Sequence, residues 1–220
     1  MASPTDAAAR RGAIAAAIAI AAVVAVAVVA LAYRIAAPRI EAHRHAEAIA
    51  LLTEVLGGLP FDNDPLTDMI AVRDPALLGT DRPLPVHRVR LAGQPVAALI
   101  ETVAPRGYGG TIRLLVAVTP DGKVIGVRVL AHHETPGVGD RIESGRSGWL
   151  KQFIDRSLGN PPDSRWALRR DGGEYDQLSG ATVTSRAVTI AIRDALVWYA
   201  QNRTQVFGEL PAPTVVAPVR

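Results

Sequence analysis

VHRVRLAGQPVAALIETVAPRGYGGTIRLLVAVTPDGKVIGVRVL, residues 86–130, alternates short apolar segments with clusters of turn residues. The apolar segments lie at 86–91, 95–103, 112–118 and 124–130, and they are rich in Val, Ile and Leu. Segments of this length and composition are typical of β-strands. The TPDGK link before the last segment contains the Pro, Asp and Gly that favour a tight turn. The stretch therefore predicts an antiparallel sheet that contains a hairpin.

Helical segments flank the predicted sheet. Residues 36–56 place apolar side chains at helical spacing, and a Gly-Gly pair and a proline then end the segment. Residues 57–85 are rich in Pro, Gly and Asp and predict loops with short elements. A short helix is predicted at 147–158, and a long, largely buried helix at 183–205, where apolar residues cover most of the circumference. The sequence therefore predicts the α+β class, with an antiparallel sheet and flanking helices.

The N-terminal part contains a long uncharged run, GAIAAAIAIAAVVAVAVVALAY at 12–33. As a helix this run spans roughly 33 Å, which is enough to cross a hydrocarbon core of about 30 Å. It predicts a single transmembrane helix. A cleaved signal peptide is the alternative, because Arg10 and Arg11 precede the run and Ala-Leu-Ala at 30–32 resembles a cleavage site. The apolar part of a signal peptide is shorter, about 7–15 residues, which favours the anchor.

The charges beside this helix do not decide its orientation. Arg10 and Arg11 lie on one side, and Arg34, Arg39 and Arg44 lie on the other. The chain then divides into an N-terminus at 1–11, the transmembrane helix at 12–33, a stalk or first helix at 34–58, the main domain at 59–207 and a proline-bearing, flexible tail at 208–220.

Composition excludes several classes of function. The chain has 24 basic and 21 acidic residues, and residues 1–39 hold four Arg and one Asp, so the remainder holds 20 of each sign. A neutral domain lacks the basic stripe that nucleic-acid binding needs. The chain has no cysteine. This excludes disulfides, thiolate nucleophiles, Cys-based zinc sites and Cys-ligated iron–sulfur clusters, so a redox function needs another carrier.

The run DQLSGATVTS at 176–185 places three hydroxyl groups, those of Thr182, Thr184 and Ser185, at the start of the long helix. A helix N-terminus offers free backbone N–H groups and the positive end of the helix dipole, so this corner favours an anion. The alternative is that Thr184 or Ser185 caps the helix, which stabilises it by about 1 kcal/mol. Composition alone favours the cap, because capping is the commonest use of such residues.

A second run, AHHETPGVGD at 131–140, directly follows the last predicted strand. Taken alone, it is an ordinary hairpin loop. His132, His133, Glu134 and Asp140 also suggest a metal site, but their spacing fits no standard ligand pattern. Adjacent residues of a strand also point to opposite faces. The sequence therefore predicts no metal site here.

The two runs together resemble one known family, the G subunit of the Rnf electron-transport complex. The C subunit of the sodium-translocating NADH:quinone reductase is a more distant match. The matching features, in chain order, are the anchor, Asp-Asn-Asp at 62–64, GYGG at 107–110, HETPGVGD at 133–140 and D-x-x-SGAT-x-TS at 176–185. The resemblance covers nearly the whole chain except the tail. Val138 stands where leucine is expected, which is a conservative apolar change.

In these families the threonine of the SGAT run carries flavin mononucleotide (FMN) through a phosphoester bond, and here that threonine is Thr182. The resemblance implies that a separate flavin transferase, which uses FAD and a magnesium ion, installs the group. The residues that this transferase is expected to recognise are Asp176, Ser179, Gly180, Ala181 and Thr182. The phosphate would lie at the helix N-terminus, which suits an anion.

The resemblance also implies a set of FMN-contacting residues. They are Thr182, Ser179, Gly180, Ala181, Thr184, Glu134, Thr135, Gly137 and Gly139. A threonine hydroxyl and the amides of a Pro-Gly-x-Gly loop can donate hydrogen bonds to the ring and tune its potential. One of the three tryptophans, Trp149, Trp166 and Trp198, could stack near the ring, although core positions are the simpler expectation.

The implied protein is an FMN-binding electron carrier in a bacterial inner membrane complex that couples electron transfer between ferredoxin and NAD to ion movement. The resemblance implies a cytoplasmic N-terminus at 1–11 and an extracytoplasmic C-terminal domain. The expected partners are the other subunits, the membrane and the flavin transferase, and the subunit alone completes no reaction.

Three alternatives remain open from the sequence. They are the related quinone-reductase subunit, a membrane-anchored binding module in which SGATVTS is only a cap, and a free flavin reductase. The last is weakened because no G-x-G-x-x-G run follows a predicted strand.

Overall fold

The computed structural model describes the backbone of residues 4–208 and the side chains of residues 22–208. The chain divides into two compact units, Met1–Ala48 and Ile49–Arg220. Most of the predicted tail, from residue 209 onward, and the first three residues of the predicted N-terminal segment lie outside the described residues.

The predicted anchor and the predicted stalk form one helix, α1, Pro4–Val55. Its part Ala22–Val55 is long and apolar enough to cross a membrane, and the most apolar window of that part is not buried against protein. Pro38 lies inside the helix. A proline removes one backbone hydrogen bond, yet α1 continues through it without ending.

The second unit is built on one antiparallel sheet, whose strand order follows the chain, β1-β2-β3-β4-β5. The strands are β1 Met69–Val72, β2 Leu84–Leu91, β3 Gln94–Ala104, β4 Ile112–Val118 and β5 Val124–Ala131. The four strands predicted from apolar segments are confirmed with ends that differ by at most two residues. β1 was missed because it is only four residues long and lies in a stretch rich in Pro, Gly and Asp.

Both faces of the sheet are covered. On one face the large core includes Ile100 of β3 and Ile192 of the C-terminal helix α3, Thr182–Phe207. On the other face Leu99 packs with Leu52, in the last turns of α1. Because both faces are covered, β3 contains the uninterrupted apolar run 96–100 and does not alternate between apolar and polar residues there.

The predicted helix at 147–158 is wrong in type and length. The chain forms only a 3-10 turn there, Trp149–Phe153. Asp155 has a φ of 65°, a left-handed conformation that ends the turn. The turn instead delivers Phe153 to an aromatic cluster, where its ring lies 4.7 Å from Tyr175 and 6.4 Å from Trp166.

The Asp-Asn-Asp run has a structural role in this fold. The Asn63 side chain accepts from the Arg90 N–H at 2.8 Å and donates to the Arg88 carbonyl at 2.9 Å. The Asp62 carboxylate accepts from the Ala92 N–H at 2.7 Å. The run thereby holds the segment after α1 against β2.

Candidate functional site

Three loops converge at one end of the sheet: the β3–β4 loop at 105–111, the loop after β5 at 132–139, and the turn before α3 at 176–181. The pairing of Arg113 with Ala131 brings the β3–β4 loop beside the end of β5. A side chain at Gly109 would place its Cβ 1.9 Å from the His133 carbonyl oxygen. Only glycine permits this approach, so the GYGG run packs directly against the HETPGVGD run.

Glu134 ties the three loops together from a buried position, where it is 5% exposed. Its Oε1 accepts from the Gly109 N–H at 2.9 Å, and its Oε2 accepts from the hydroxyl of Thr184 on α3. Burying a carboxylate is costly unless donors satisfy it, and here two donors do so. A Cβ at Gly139 would lie 2.8 Å from the Glu134 Cβ, so a second glycine leaves the necessary space.

The hydroxyl groups at the start of α3 do not cap the helix. The N-cap residue is Ala181, and no side chain caps the helix. The Ser185 hydroxyl accepts from the Leu178 N–H at 3.0 Å and donates to the Ala181 carbonyl at 2.9 Å. Thr184 donates to Glu134. The cap alternative is therefore wrong for both residues.

Thr182, the first residue of α3, keeps its hydroxyl accessible. Its side chain is partly exposed, and its Oγ1 accepts from Arg170 Nη1 at 3.2 Å. The same oxygen lies 3.5 Å from Gln177 Oε1, at the limit of a hydrogen bond. Sequence reasoning missed Arg170 and Gln177, because nothing in their spacing shows that they fold back onto Thr182.

The loops enclose an open cavity of about 400 Å³, within the range of small-molecule sites. Its lining consists of Tyr108, Glu134, Thr135, Val138, Gly139, Gly180, Ala181, Thr182, Val183 and Thr184. The structure thus brings together seven of the nine residues expected to contact the cofactor. Ser179 and Gly137 are exposed and do not line the cavity.

The chemistry of the lining suits a flat aromatic ligand with a polar edge. Tyr108 is 74% exposed, Val183 46% and Val138 37%, so these side chains offer unpartnered aromatic and apolar surface. Hydroxyl and amide groups lie among them. None of the three tryptophans lines the cavity: Trp166 and Trp198 are buried, and the indole of Trp149 donates to the Asp176 carbonyl at 2.7 Å.

The residues expected to be recognised by a transferase form a mostly accessible turn. Asp176, Ser179 and Gly180 are exposed, Thr182 is partly exposed, and Ala181 is buried. The backbone of Asp176 is fixed from both sides, because its N–H donates to Gln152 Oε1 at 2.8 Å and its carbonyl accepts from Trp149. The Asp176 carboxylate remains at the surface, 3.3 Å from Arg169 Nε.

His132, one of the two histidines of the loop after β5, belongs to a polar cluster beside the cavity. His132 Nδ1 accepts from the Glu134 N–H at 3.0 Å, and its Nε2 donates to Glu143 at 2.8 Å. The hydrogen bonds from His132 and then from Arg146 lower the pKa of Glu143 below its ordinary value. Asp140 is buried and forms an ion pair with Arg146 at 3.0 Å.

Over residues 22–208, no group of three acidic or histidine side chains is placed to hold a metal ion.

Comparison with known proteins agrees with the geometry. The chain matches the model of the FMN-binding domain over residues 107–197, which span the three loops of the cavity. It is similar to the G subunit of the ion-translocating oxidoreductase complex of Pseudomonas aeruginosa, at 48% identity over 168 residues, 76% of this chain and 78% of that protein. The G subunit from Shewanella baltica is 39% identical over 170 residues, 77% of this chain and 80% of that protein. That of Vibrio cholerae is 37% identical over 180 residues, 82% of this chain and 86% of that protein.

Proposed function

Because the chain belongs to the family of G subunits of ion-translocating oxidoreductase complexes, we propose that it carries FMN covalently on Thr182. It is a membrane-anchored electron-transfer subunit with an FMN-binding domain, and the other subunits of the complex are its partners. The covalent bond, the residues that hold the cofactor and the side of the membrane are the parts proposed here.

One observation carries the choice of Thr182. The run 176–185 contains four hydroxyl side chains, and Thr182 is the one that both lines the cavity and remains partly exposed. Thr184 and Ser185 are buried, and their hydroxyl groups are already hydrogen-bonded within the fold. Ser179 is exposed but lies outside the cavity lining. Within this run, Thr182 is the residue that combines access for an enzyme with a position from which an attached group can enter the cavity.

The proposed attachment is a group transfer from FAD. Thr182 Oγ1 forms a bond to the phosphorus of the FMN half, and the P–O bond of the pyrophosphate link breaks. AMP leaves with the bridging oxygen, and the hydroxyl proton is released to a base of the transferase. A threonine hydroxyl is a poor nucleophile without activation, which is why a separate magnesium-dependent transferase is part of the proposal.

When bound, FMN supplies one- and two-electron transfer. The chain's own residues bind and shield it. Tyr108, Val138 and Val183 provide apolar surface that excludes water from the cavity, and the uncapped N-terminus of α3 favours the phosphate. Glu134 keeps Thr184 and the GYGG loop in place, which fixes the shape of the cavity before the cofactor arrives.

We place the C-terminal domain, from residue 59 to 207, on the extracytoplasmic side of a bacterial inner membrane, with residues 1–11 in the cytoplasm and residues 12–33 of α1 as the single span. A covalent bond suits that location. Mass action keeps a dissociable cofactor bound only where free cofactor is present, and the cytosolic pool cannot replace a flavin lost outside. The proposed complex moves electrons between ferredoxin and NAD and couples this flow to ion transport.

The test is co-production of the full chain with a flavin transferase, followed by in-gel fluorescence and intact mass of the denatured protein. The wild type is expected to gain one esterified FMN, and Thr182→Ala is expected to gain none. Thr204→Ala is the matched control and should be modified like the wild type, because its hydroxyl is exposed near the other end of α3 and lies outside the cavity. An unmodified wild type, alongside a transferase that modifies another acceptor, would leave a membrane-anchored binding module as the better account.

A further inference from the structure

The guanidinium of Arg170 lies at the attachment point, with Nη1 3.2 Å from Thr182 Oγ1. We propose that Arg170 pairs with the phosphate of the attached FMN and stabilises the charge that develops there during attachment. This inference rests on the proposed function, because it assigns a phosphate-binding residue to the same site. Arg170 would act as a positioning and charge-neutralising residue, and it takes no part in electron transfer.

The fold holds Arg170 in this position. It is the middle residue of a 3-10 turn, Arg169–Asp171, which ends at Gly172 in a left-handed conformation. Asp171 receives two hydrogen bonds from Arg186, at 2.8 and 3.0 Å, and Arg186 lies one turn into α3 from Thr182. The pair between Asp171 and Arg186 thus connects the turn to α3, the helix that begins at the attachment point. The backbone of Arg170 is therefore held in place by the fold.

The neighbouring arginines are engaged elsewhere. Arg169 pairs with Asp176 and donates to the Glu174 carbonyl at 3.2 Å, and Arg186 pairs with Asp171. Among the side chains that the structure describes, no carboxylate forms an ion pair with Arg170. The Thr182 hydroxyl is the group it contacts, which leaves its positive charge available to an anion at that place.

The chemistry of the two groups is complementary. A phosphodiester carries one negative charge on two oxygens, and a guanidinium offers several N–H donors in a planar fork. The phosphorus would be bonded to the same Oγ1 that Arg170 already contacts. During attachment, the positive charge also stabilises the negative charge that develops on Oγ1 and on the phosphoryl oxygens. Arg170 is exposed, so this pairing should weaken as the salt concentration rises.

The experiment compares the full chain in detergent as wild type, Arg170→Gln, Arg170→Lys and Arg169→Gln. The first readout is the initial rate of flavin attachment by a purified transferase with FAD and Mg²⁺, measured by intact mass. The second is the rise in melting temperature between unmodified and flavinylated protein, at low and high salt. Arg169→Gln is the matched control, since it removes a neighbouring charge that pairs with Asp176.

For Arg170→Gln we expect attachment to slow on the order of threefold to tenfold, and the gain in melting temperature at low salt to fall by about 1–4 °C. Arg170→Lys should recover part of both, and Arg169→Gln should match the wild type. If Arg170→Gln accepts no flavin while its unmodified form melts normally and Arg170→Lys is modified, the charge requirement is likewise supported.

Three results would overturn the inference: equal behaviour of Arg170→Gln and wild type, equal losses in both glutamine variants, or slower attachment with an unchanged gain in melting temperature. The last would assign Arg170 to the encounter with the transferase alone. Failure of the wild type to accept flavin would instead contradict the proposed function, so the two failures are distinguishable.

Discussion

At the scale of single residues, Glu134 is the side chain on which the shape of the site depends most. It is buried, it lies in the loop after β5, and it accepts hydrogen bonds from the β3–β4 loop and from α3. Removing a buried acceptor leaves its donors without partners, which costs more than the hydrogen bonds themselves contribute. The same carboxylate therefore contributes to the stability of the domain and to the geometry of the cavity.

We expect Glu134→Ala to reduce the free energy of unfolding of the C-terminal domain by roughly 2–4 kcal/mol, because the Gly109 N–H and the Thr184 hydroxyl lose their shared acceptor. The measurement is urea unfolding of the unmodified full chain in detergent. Glu174→Ala is the control, since its carboxylate forms only a partly exposed pair with Arg165 and should cost less than about 1 kcal/mol. Equal losses in the two variants would show that Glu134 does not tie the loops together.

The sequence points to candidate site residues that lie together in runs, but not to residues that reach the cavity from elsewhere in the fold. Thr182, Thr184 and Glu134 belong to two recognisable runs, and the structure brings them to one cavity. Arg170 and Gln177 belong to no motif, and they reach Thr182 through the turn geometry between residues 169 and 181. Such proximity of side chains depends on tertiary packing. The types of the residues and their spacing along the chain do not reveal it.

At the scale of elements, the site depends on three loops that pack very closely against one another. A side chain at Gly109 would prevent this packing. Gly109 N–H donates to Glu134, and its α-carbon faces the His133 carbonyl, where a Cβ would overlap. The loop after β5 is braced on its other side by the pair between His132 and Glu143. The cavity is therefore set by contacts between loops, more than by any one element.

The Gly109→Ala variant tests this close approach. We expect it to lose roughly 2 kcal/mol or more of unfolding free energy, because the loop must move away from His133 and lose its hydrogen bond to Glu134. Flavin attachment should fall with it. Gly145→Ala is the control, because its Cβ would meet no atom within 4 Å, and we expect a change within about 0.5 kcal/mol. A Gly109→Ala protein as stable as the control would contradict the loop contact.

The pair between His132 and Glu143 predicts a pH dependence. The pKa of Glu143 is lowered in the folded protein from its ordinary value of 4.5, first by His132 and then by Arg146. Its contribution to stability is therefore fully present above that value and is lost as the pH falls through the lower, folded pKa.

The difference in melting temperature between the wild type and Glu143→Gln should be fully developed by about pH 6 and should shrink as the pH falls through the lowered pKa of Glu143, because the wild-type carboxyl then also becomes neutral. The effect is small, because the Glu143 side chain is 42% exposed and solvent screens the pairing. A difference that stays constant over this range would show that the pairing of the charged carboxylate does not stabilise the turn.

The predicted elements succeed where apolar periodicity is strong and fail where it is short. β2 to β5 and α3 are long enough for their composition to identify them. β1 has four residues and follows a loop-like stretch, so its pairing with β2 is set by tertiary structure. The segment at 147–158 has helical composition, but the backbone turns at Asp155 so that Phe153 can enter the aromatic core.

At the scale of the whole molecule, an apolar N-terminal helix precedes a domain that has its own core on both faces of a sheet. The sequence predicts this organisation well, because a long uncharged run and a set of short apolar strands are distinct patterns. It does not predict that the anchor and the stalk form one helix, since a proline at position 38 is a common end for a helix. It also leaves the orientation in the membrane open, because arginines flank the span on both sides.

The proposed orientation is testable because the chain has no cysteine. In cells with a permeabilised outer membrane, a membrane-impermeant maleimide should label Gly145→Cys, which places a thiol at an exposed position of the C-terminal domain. It should label Ser3→Cys only after the inner membrane is opened. The reverse pattern would place the domain in the cytoplasm.

The most direct test of the central claim is to locate the flavin within one peptide. Trypsin cleaves after Arg170 and Arg186 and releases DGGEYDQLSGATVTSR, which contains Ser179, Thr182, Thr184 and Ser185. Fragmentation of this peptide from flavinylated full-length protein should place the mass of one esterified FMN on Thr182 alone. A flavin mass on any of the other three hydroxyl groups, or a peptide that stays unmodified while the protein is fluorescent, would contradict the account.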